Sequence, residues 1–280
     1  MKKLGTLALT LTLTGAMALP ALAAEEPELV IAPADTGYGQ TIVLNGETLD
    51  LTGIPGVSGE ELLPLRLLAE ADHGSASWFS DDNTGFFYLS GVRIEVSFQD
   101  GSVTVDGTPA EGTSALVKDG VTFLPVSFLE ELEGFSVTQG EDGSLSITTP
   151  NNDPLVKLAY EITDAGNVGY GMTANAEVLD THSIRSDSFT EVFGFFPMMT
   201  SPDTVIVGKL ADGKEEQART DLEAYRKQQE DTFSWYLAQN LPKVQDARTV
   251  VKDGYILFVI AENADAAVAA FESGIASLGK

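Results

Sequence analysis

The chain has 280 residues, of which 42 are Asp or Glu and 16 are Lys or Arg, and its formal net charge is −26. Such a balance repels phosphate backbones and anionic lipid, which disfavours nucleic-acid binding and electrostatic membrane binding. With no cysteine, the chain forms no disulfide, no thiolate metal site and no acylated lipoprotein anchor.

Lys2 and Lys3 precede an apolar stretch from Leu4 to Leu19 and then Ala21-Leu22-Ala23. This is the pattern of a secretory leader cut after a small residue, here Ala23. Threonines and Pro20 break the stretch, which makes it short for a membrane span, and no later segment is long enough to cross a bilayer. The expectation is a signal peptide at 1–23 and a secreted or cell-surface, extracytoplasmic protein with no membrane span after cleavage. Its 14 remaining basic residues then face 42 acidic ones. Residues 24–40, rich in Glu, Pro, Ala, Gly and Asp, read as a flexible or extended linker.

A first globular unit spans 41–149. Thr41 to Leu44 is a predicted strand, Asn45-Gly46 a tight-turn signal and Thr48 to Leu51 the return. A unit then occurs twice, Leu63-Pro64-Leu65-Arg66-Leu67-Leu68-Ala69-Glu70 and Leu124-Pro125-Val126-Ser127-Phe128-Leu129-Glu130-Glu131. Each proline holds the preceding leucine extended and suits the first helical turn, so each copy reads as a strand end feeding a short helix. Gly74 and Gly134 stop the two helices, and an alternating hairpin follows each. Between the copies, Phe86 to Leu89, Val92 to Phe98 and Val103 to Val105 alternate around Asp-Gly turns, as an antiparallel sheet requires. The reading is an internal helix-plus-hairpin duplication.

The second unit spans 150–280. Pro150 to Pro154 is a linker that ends in a helix start, with Asp153 as N-cap and Pro154 at the first helical position. Leu155, Leu158, Ala159 and Ile162 share one face of that helix. Asp203 to Gly208 is a predicted buried strand, and a long helix runs from about Lys214 to Gln239 with Ala218, Leu222, Tyr225, Phe233, Tyr236 and Leu237 on one side. Arg248 to Val251 and Tyr255 to Ile260 make a hairpin, and a last helix carries Val268, Phe271, Ile275 and Leu278. The predicted fold class is therefore α+β, with two domains, each a mainly antiparallel sheet with packed helices.

The paired Leu-Pro units, the Asn-Gly hairpin before the first and the hairpins after each resemble the copper amine oxidase N-terminal-like domain, a stalk module of bacterial envelope proteins, over about 41–149. The first copy departs from that pattern after Glu70, where Ala71-Asp72-His73-Gly74-Ser75 replaces a more apolar helix end. The resemblance implies a stalk. Amine oxidase activity and copper or quinone chemistry are not implied, since histidines hold copper in the oxidases and this chain has only His73 and His182. Residues 152–280 resemble a bacterial extracytoplasmic domain family of unknown function, through Pro197-Met198-Met199, Arg226, Tyr236 and the Val250 to Ile260 hairpin; that family implies location and fold, and no activity.

Few residues suggest chemistry. Ser183, His182 and Asp187 crowd one polar loop, whereas triad members converge from separate elements, and no G-x-S-x-G elbow exists. Asp81-Asp82-Asn83-Thr84-Gly85 lacks the spaced ligands of a calcium loop and reads as a hairpin turn. Gly166 to Gly171 does not follow a strand and reads as a mobile loop. The segment holding Phe189, Phe193, Phe195, Phe196, Met198 and Met199 is dense enough in aromatics and methionines for a partner surface or lid, with sheet core as the plainer reading. No catalytic, metal or cofactor site is predicted. The expectation is a non-catalytic binding or structural protein of the cell exterior, whose partner is a cell-wall polymer or another envelope protein. The alternatives are an extracytoplasmic hydrolase acting on cell-wall glycan or peptide through acidic residues, and a regulatory or inhibitory partner of another secreted protein.

Overall fold

The computed structural model describes residues 38–278, apart from 58–60, 170, 174 and 199. The leader with its cleavage after Ala23, most of the 24–40 stretch and Met199 therefore lie outside the described residues. The last part of that stretch is tied down rather than free: the Tyr38 ring stacks 6.3 Å from Phe123, and its N–H donates to the Ile54 carbonyl at 3.0 Å.

In chain order the first half contains β1 (Ile42–Leu44), β2 (Glu47–Thr48), β3 (Leu62–Pro64), α1 (Leu65–Ala71), β4 (Ser75–Phe79), β5 (Thr84–Leu89) and β6 (Val92–Ser97). It continues through β7 (Ser102–Val105), β8 (Thr108–Ser114), β9 (Leu116–Lys118), β10 (Val121–Pro125), α2 (Val126–Glu130), β11 (Ser136–Gln139) and β12 (Leu145–Thr148). These strands form three sheets, ordered β11-β12-β1-β2, β3-β10-β9 and β4-β5-β6-β7-β8. The first strand lies parallel to the last, with Ile42 opposite Leu145, so the unit is closed by its own ends; the other pairs are antiparallel.

The two Leu-Pro units meet face to face: β3 and β10 pair with Leu63 opposite Leu124. Both prolines sit one residue earlier than expected. They end the strand and act as N-caps, and the helices begin at Leu65 and Val126. The helix stops also differ between the copies. Gly134 takes a left-handed φ of +81°, but in the first copy His73 does so, at +60°, and Gly74 serves another need. A Cβ on Gly74 would overlap the Tyr88 carbonyl oxygen, so only glycine lets α1 run straight into β4 beside β5.

The second half contains a 3-10 turn at Pro150–Asn152, α3 (Pro154–Gly166), β13 (Met172–Thr173), α4 (Ala176–Thr181), β14 (Phe189–Phe196) and β15 (Thr204–Leu210). There follow α5 (Glu215–Trp235), α6 (Leu241–Gln245), β16 (Arg248–Lys252), β17 (Tyr255–Ile260) and α7 (Ala264–Leu278). Asp153 caps α3 as expected, its carboxylate accepting from the N–H groups of Leu155 and Val156. One antiparallel sheet, β13-β14-β15-β17-β16, forms the middle layer. Val205, Val207, Leu257 and Val259 face α3 and α7 on one side, while Ile206, Ile256, Phe258 and Ile260 face α4, α5 and α6 on the other. Burial on both faces explains why β15 and β17 read as unbroken apolar runs. The helix expected to reach Gln239 ends at Trp235, because Leu237 adopts a left-handed φ of +53° and the chain turns into a 3-10 segment before α6.

Candidate binding groove

An open groove of about 400 Å³ lies on the first half, between α1, β4 and the β9–β10 hairpin. Helix spacing sets Arg66, Leu67 and Glu70 along it, β5 contributes Phe87, and Phe98, Val117 and Val121 complete an apolar lining. Trp78, on the outermost strand of its sheet, lines the same space with 59% of its surface exposed. Opposite Trp78 stands Gly85, and a Cβ there would strike the rings of Phe98 and Phe87, so glycine lets the aromatics crowd beneath the indole. Arg66 and Glu70, 3.9 Å apart, place a solvent-exposed ion pair on the groove. The arrangement can hold an apolar or aromatic group beside a charged pair.

A second polar cluster fixes the end of α1. Asp72 is buried, and its Oδ1 accepts from Asn45 Nδ2 at 3.0 Å and Thr149 Oγ1 at 2.7 Å. Oδ2 accepts from Ser90 Oγ at 2.5 Å and Asn151 Nδ2 at 3.2 Å, and the Asn151 amide also donates to the Asp72 carbonyl at 2.8 Å. Burial pushes the Asp72 carboxyl above its usual range, against the opposing pull of Ser90, Thr149 and Asn45. Beside it the His73 ring stacks on Tyr160 of α3 at 4.0 Å, and burial together with the Asp72 charge pushes the Tyr160 hydroxyl up to about 12. Lys157 Nζ donates to the Asn45 carbonyl at 3.0 Å. The Pro150 to Pro154 segment, expected as a linker, is thus a strap anchored by the buried Asn151, with Pro150, Asp153 and Pro154 exposed. No sequence pattern points to this, since Asn45 reads as a turn residue and Asp72 only as part of the Ala71 to Ser75 departure from a more apolar helix end.

Most of the sequence-predicted candidates occupy structural positions. Phe189, Phe195 and Phe196 are buried in β14 and pack against the helices, and Phe193 is half-buried. A partner cannot reach the three buried rings without opening the sheet, which among the described residues of that segment leaves Met198, 65% exposed, and the half-buried Phe193 accessible. His182 stacks on Phe196 at 4.1 Å with its imidazole pushed below the usual value by burial, while Asp187 is paired with Lys214 at 2.8 Å and Ser183 takes a left-handed φ of +61°. These three serve separate local contacts. Asp81 and Asp82 lie in the turn between β4 and β5. The first residues of the glycine-rich segment are held in place. Asn167 caps α3 with a left-handed φ, Val168 is buried, and the Gly169 N–H donates to Asp203 Oδ2 at 3.1 Å. Arg226 pairs with Glu223 and Glu230 at 2.9 and 2.8 Å, and Tyr236 is exposed.

Two family models match the chain. Residues 43–147 match the Copper amine oxidase N-terminal domain, and residues 172–261 match a Domain of unknown function, DUF4358. The groove lies within the first match, whereas α3 and the whole strap fall between the two. The copper amine oxidase match is to the N-terminal, non-catalytic domain alone, so amine oxidase activity is not expected of this chain. No curated protein and no solved structure matches the chain. Among the described residues no helix is long and apolar enough to cross a membrane.

Proposed function

We propose that the chain is a non-catalytic binding protein that works outside the cytoplasm, holding a cell-wall polymer or another envelope protein at the groove of its copper amine oxidase N-terminal-type half. The observation that carries this reading is Trp78, a large aromatic left open to solvent beside an apolar groove with one charged pair. Exposed tryptophan is the kind of side chain that dominates binding energy once a partner covers it. The leader pattern at 1–23 and the stalk-type first half support the location.

Sedimentation of the purified protein with the organism's own cell envelopes tests the proposal. Retention is expected, and Trp78→Ala should weaken it about tenfold or more, the loss that goes with truncating a central aromatic anchor. The thermal midpoint should not move, because the indole is mostly outside the core. Failure of the intact protein to sediment, or equal retention of the variant, would refute the assignment of the groove.

A further inference from the structure

The hairpin β4–β5 carries a second surface on the side turned away from the core. Strand register places Phe79, Phe86 and Tyr88 on one outward face, opposite the inward Phe87, Ile94, Val96 and Val103. Phe79 is 54% and Tyr88 41% exposed, and the Phe79 and Phe86 rings meet edge to face at 5.3 Å. The next strand adds Arg93 and Glu95, which pair at 2.8 Å. Every other outward position on β4 to β7 is Ser or Thr.

That composition is selective. The outward face of an antiparallel sheet is ordinarily polar, and an apolar face made to dock a protein would include aliphatic side chains, of which these outward positions have none. Aromatic rings surrounded by hydroxyls suit a ligand with flat C–H faces and a rim of hydroxyl groups. The rings stack on the faces, and the exposed Ser75 and Ser77 with Arg93 and Glu95 exchange hydrogen bonds with the rim. From Thr84, the partner of Phe79, to Tyr88 the strand advances roughly 13 Å, which spans several linked rings rather than one. Charge decides among glycans. The Arg93–Glu95 pair leaves the face with no net charge, and a chain of net charge −26 repels a polyanion.

We propose that this face binds a neutral, extended polysaccharide chain. The proposal deepens the binding-protein reading by naming a ligand class, but it uses the outer face of the hairpin and not the groove.

The test measures binding of the purified protein to insoluble chitin and to soluble chitohexaose, with polygalacturonate as the charged comparison. Binding to both neutral probes and not to polygalacturonate is expected. Phe79→Ser and Tyr88→Ala should each weaken it about tenfold, the scale of one lost aromatic stacking contact. Both variants should keep the wild-type circular dichroism. The face is refuted if neither neutral probe binds, if polygalacturonate binds as well as chitohexaose, or if Phe79→Ser and Tyr88→Ala bind like the wild type. Should the neutral probes fail while envelopes still retain the protein through Trp78, the saccharide assignment falls and the binding function stands. Loss of both readouts refutes the two together.

Discussion

Asp72 satisfies four side-chain donors with one buried carboxylate and has no cation beside it in that set. A carboxylate held only by neutral donors keeps its hydrogen bonds but loses the solvation of its charge, and here burial wins, so its pKa rises. The sign for stability follows from that direction. Below the ordinary aspartate value of 3.8 the group is protonated in both states. Above it the unfolded chain ionises first, so this group's contribution to stability declines as pH rises, until the folded form has ionised too. Asp72→Asn removes the titration, and the stability difference between wild type and variant, read from urea unfolding, should shrink as pH is raised from about 4 to 7. A difference that grows with pH would mean that the hydrogen bonds outweigh burial. Asp72→Ala, which strands several buried donors, should cost on the order of 3 kcal/mol at neutral pH.

At the level of elements, β14 shows how tertiary contacts override a local reading. A register shift between Phe189 and Glu191 interrupts the alternation, and Gly194, Phe195 and Phe196 are buried in succession. Period-two patterning was therefore absent where the strand exists, and an aromatic cluster was the only visible signal. Gly194 is central to the pairing, because a Cβ there would overlap the Val205 carbonyl of β15. Gly194→Ala should destabilise the fold by roughly 2–3 kcal/mol, measured as a lower urea midpoint with an unchanged slope. By contrast, the start of α3 was readable to the residue, since its Asp-Pro cap and apolar face depend only on neighbours in sequence, whereas Gly166, read as loop, is its last helical residue. The groove was not legible. Leu67, Trp78, Phe98 and Val121 come together from four segments that no local pattern connects.

For the molecule as a whole, two cores are separated by the strap, Pro150 to Pro154 with Thr149 leading into it. One lies among the sheets of the first half; the second half packs both faces of its single sheet. Had the strap been a free linker, the halves would unfold independently, each at its own denaturant midpoint. Instead Thr149, Asn151 of the strap, Asn45 and Ser90 of the first half and the Lys157 and Tyr160 side chains of α3 all converge around Asp72 and His73. Residues 35–280 accordingly form one compact unit. Coupling of this kind makes the loss of one core expensive for the other, so the wild-type protein should unfold in a single transition, with intrinsic fluorescence and far-ultraviolet circular dichroism changing together. In Asn151→Ala the strap loses its amide bonds to the Asp72 carbonyl and carboxylate while both cores keep their packing. Each probe should then show two transitions, since each half contributes one tryptophan, Trp78 or Trp235, to the fluorescence and its own helices and strands to the dichroism. A single transition in that variant would place the coupling in the His73–Tyr160 stack, and His73→Ala combined with Asn151→Ala should then split it.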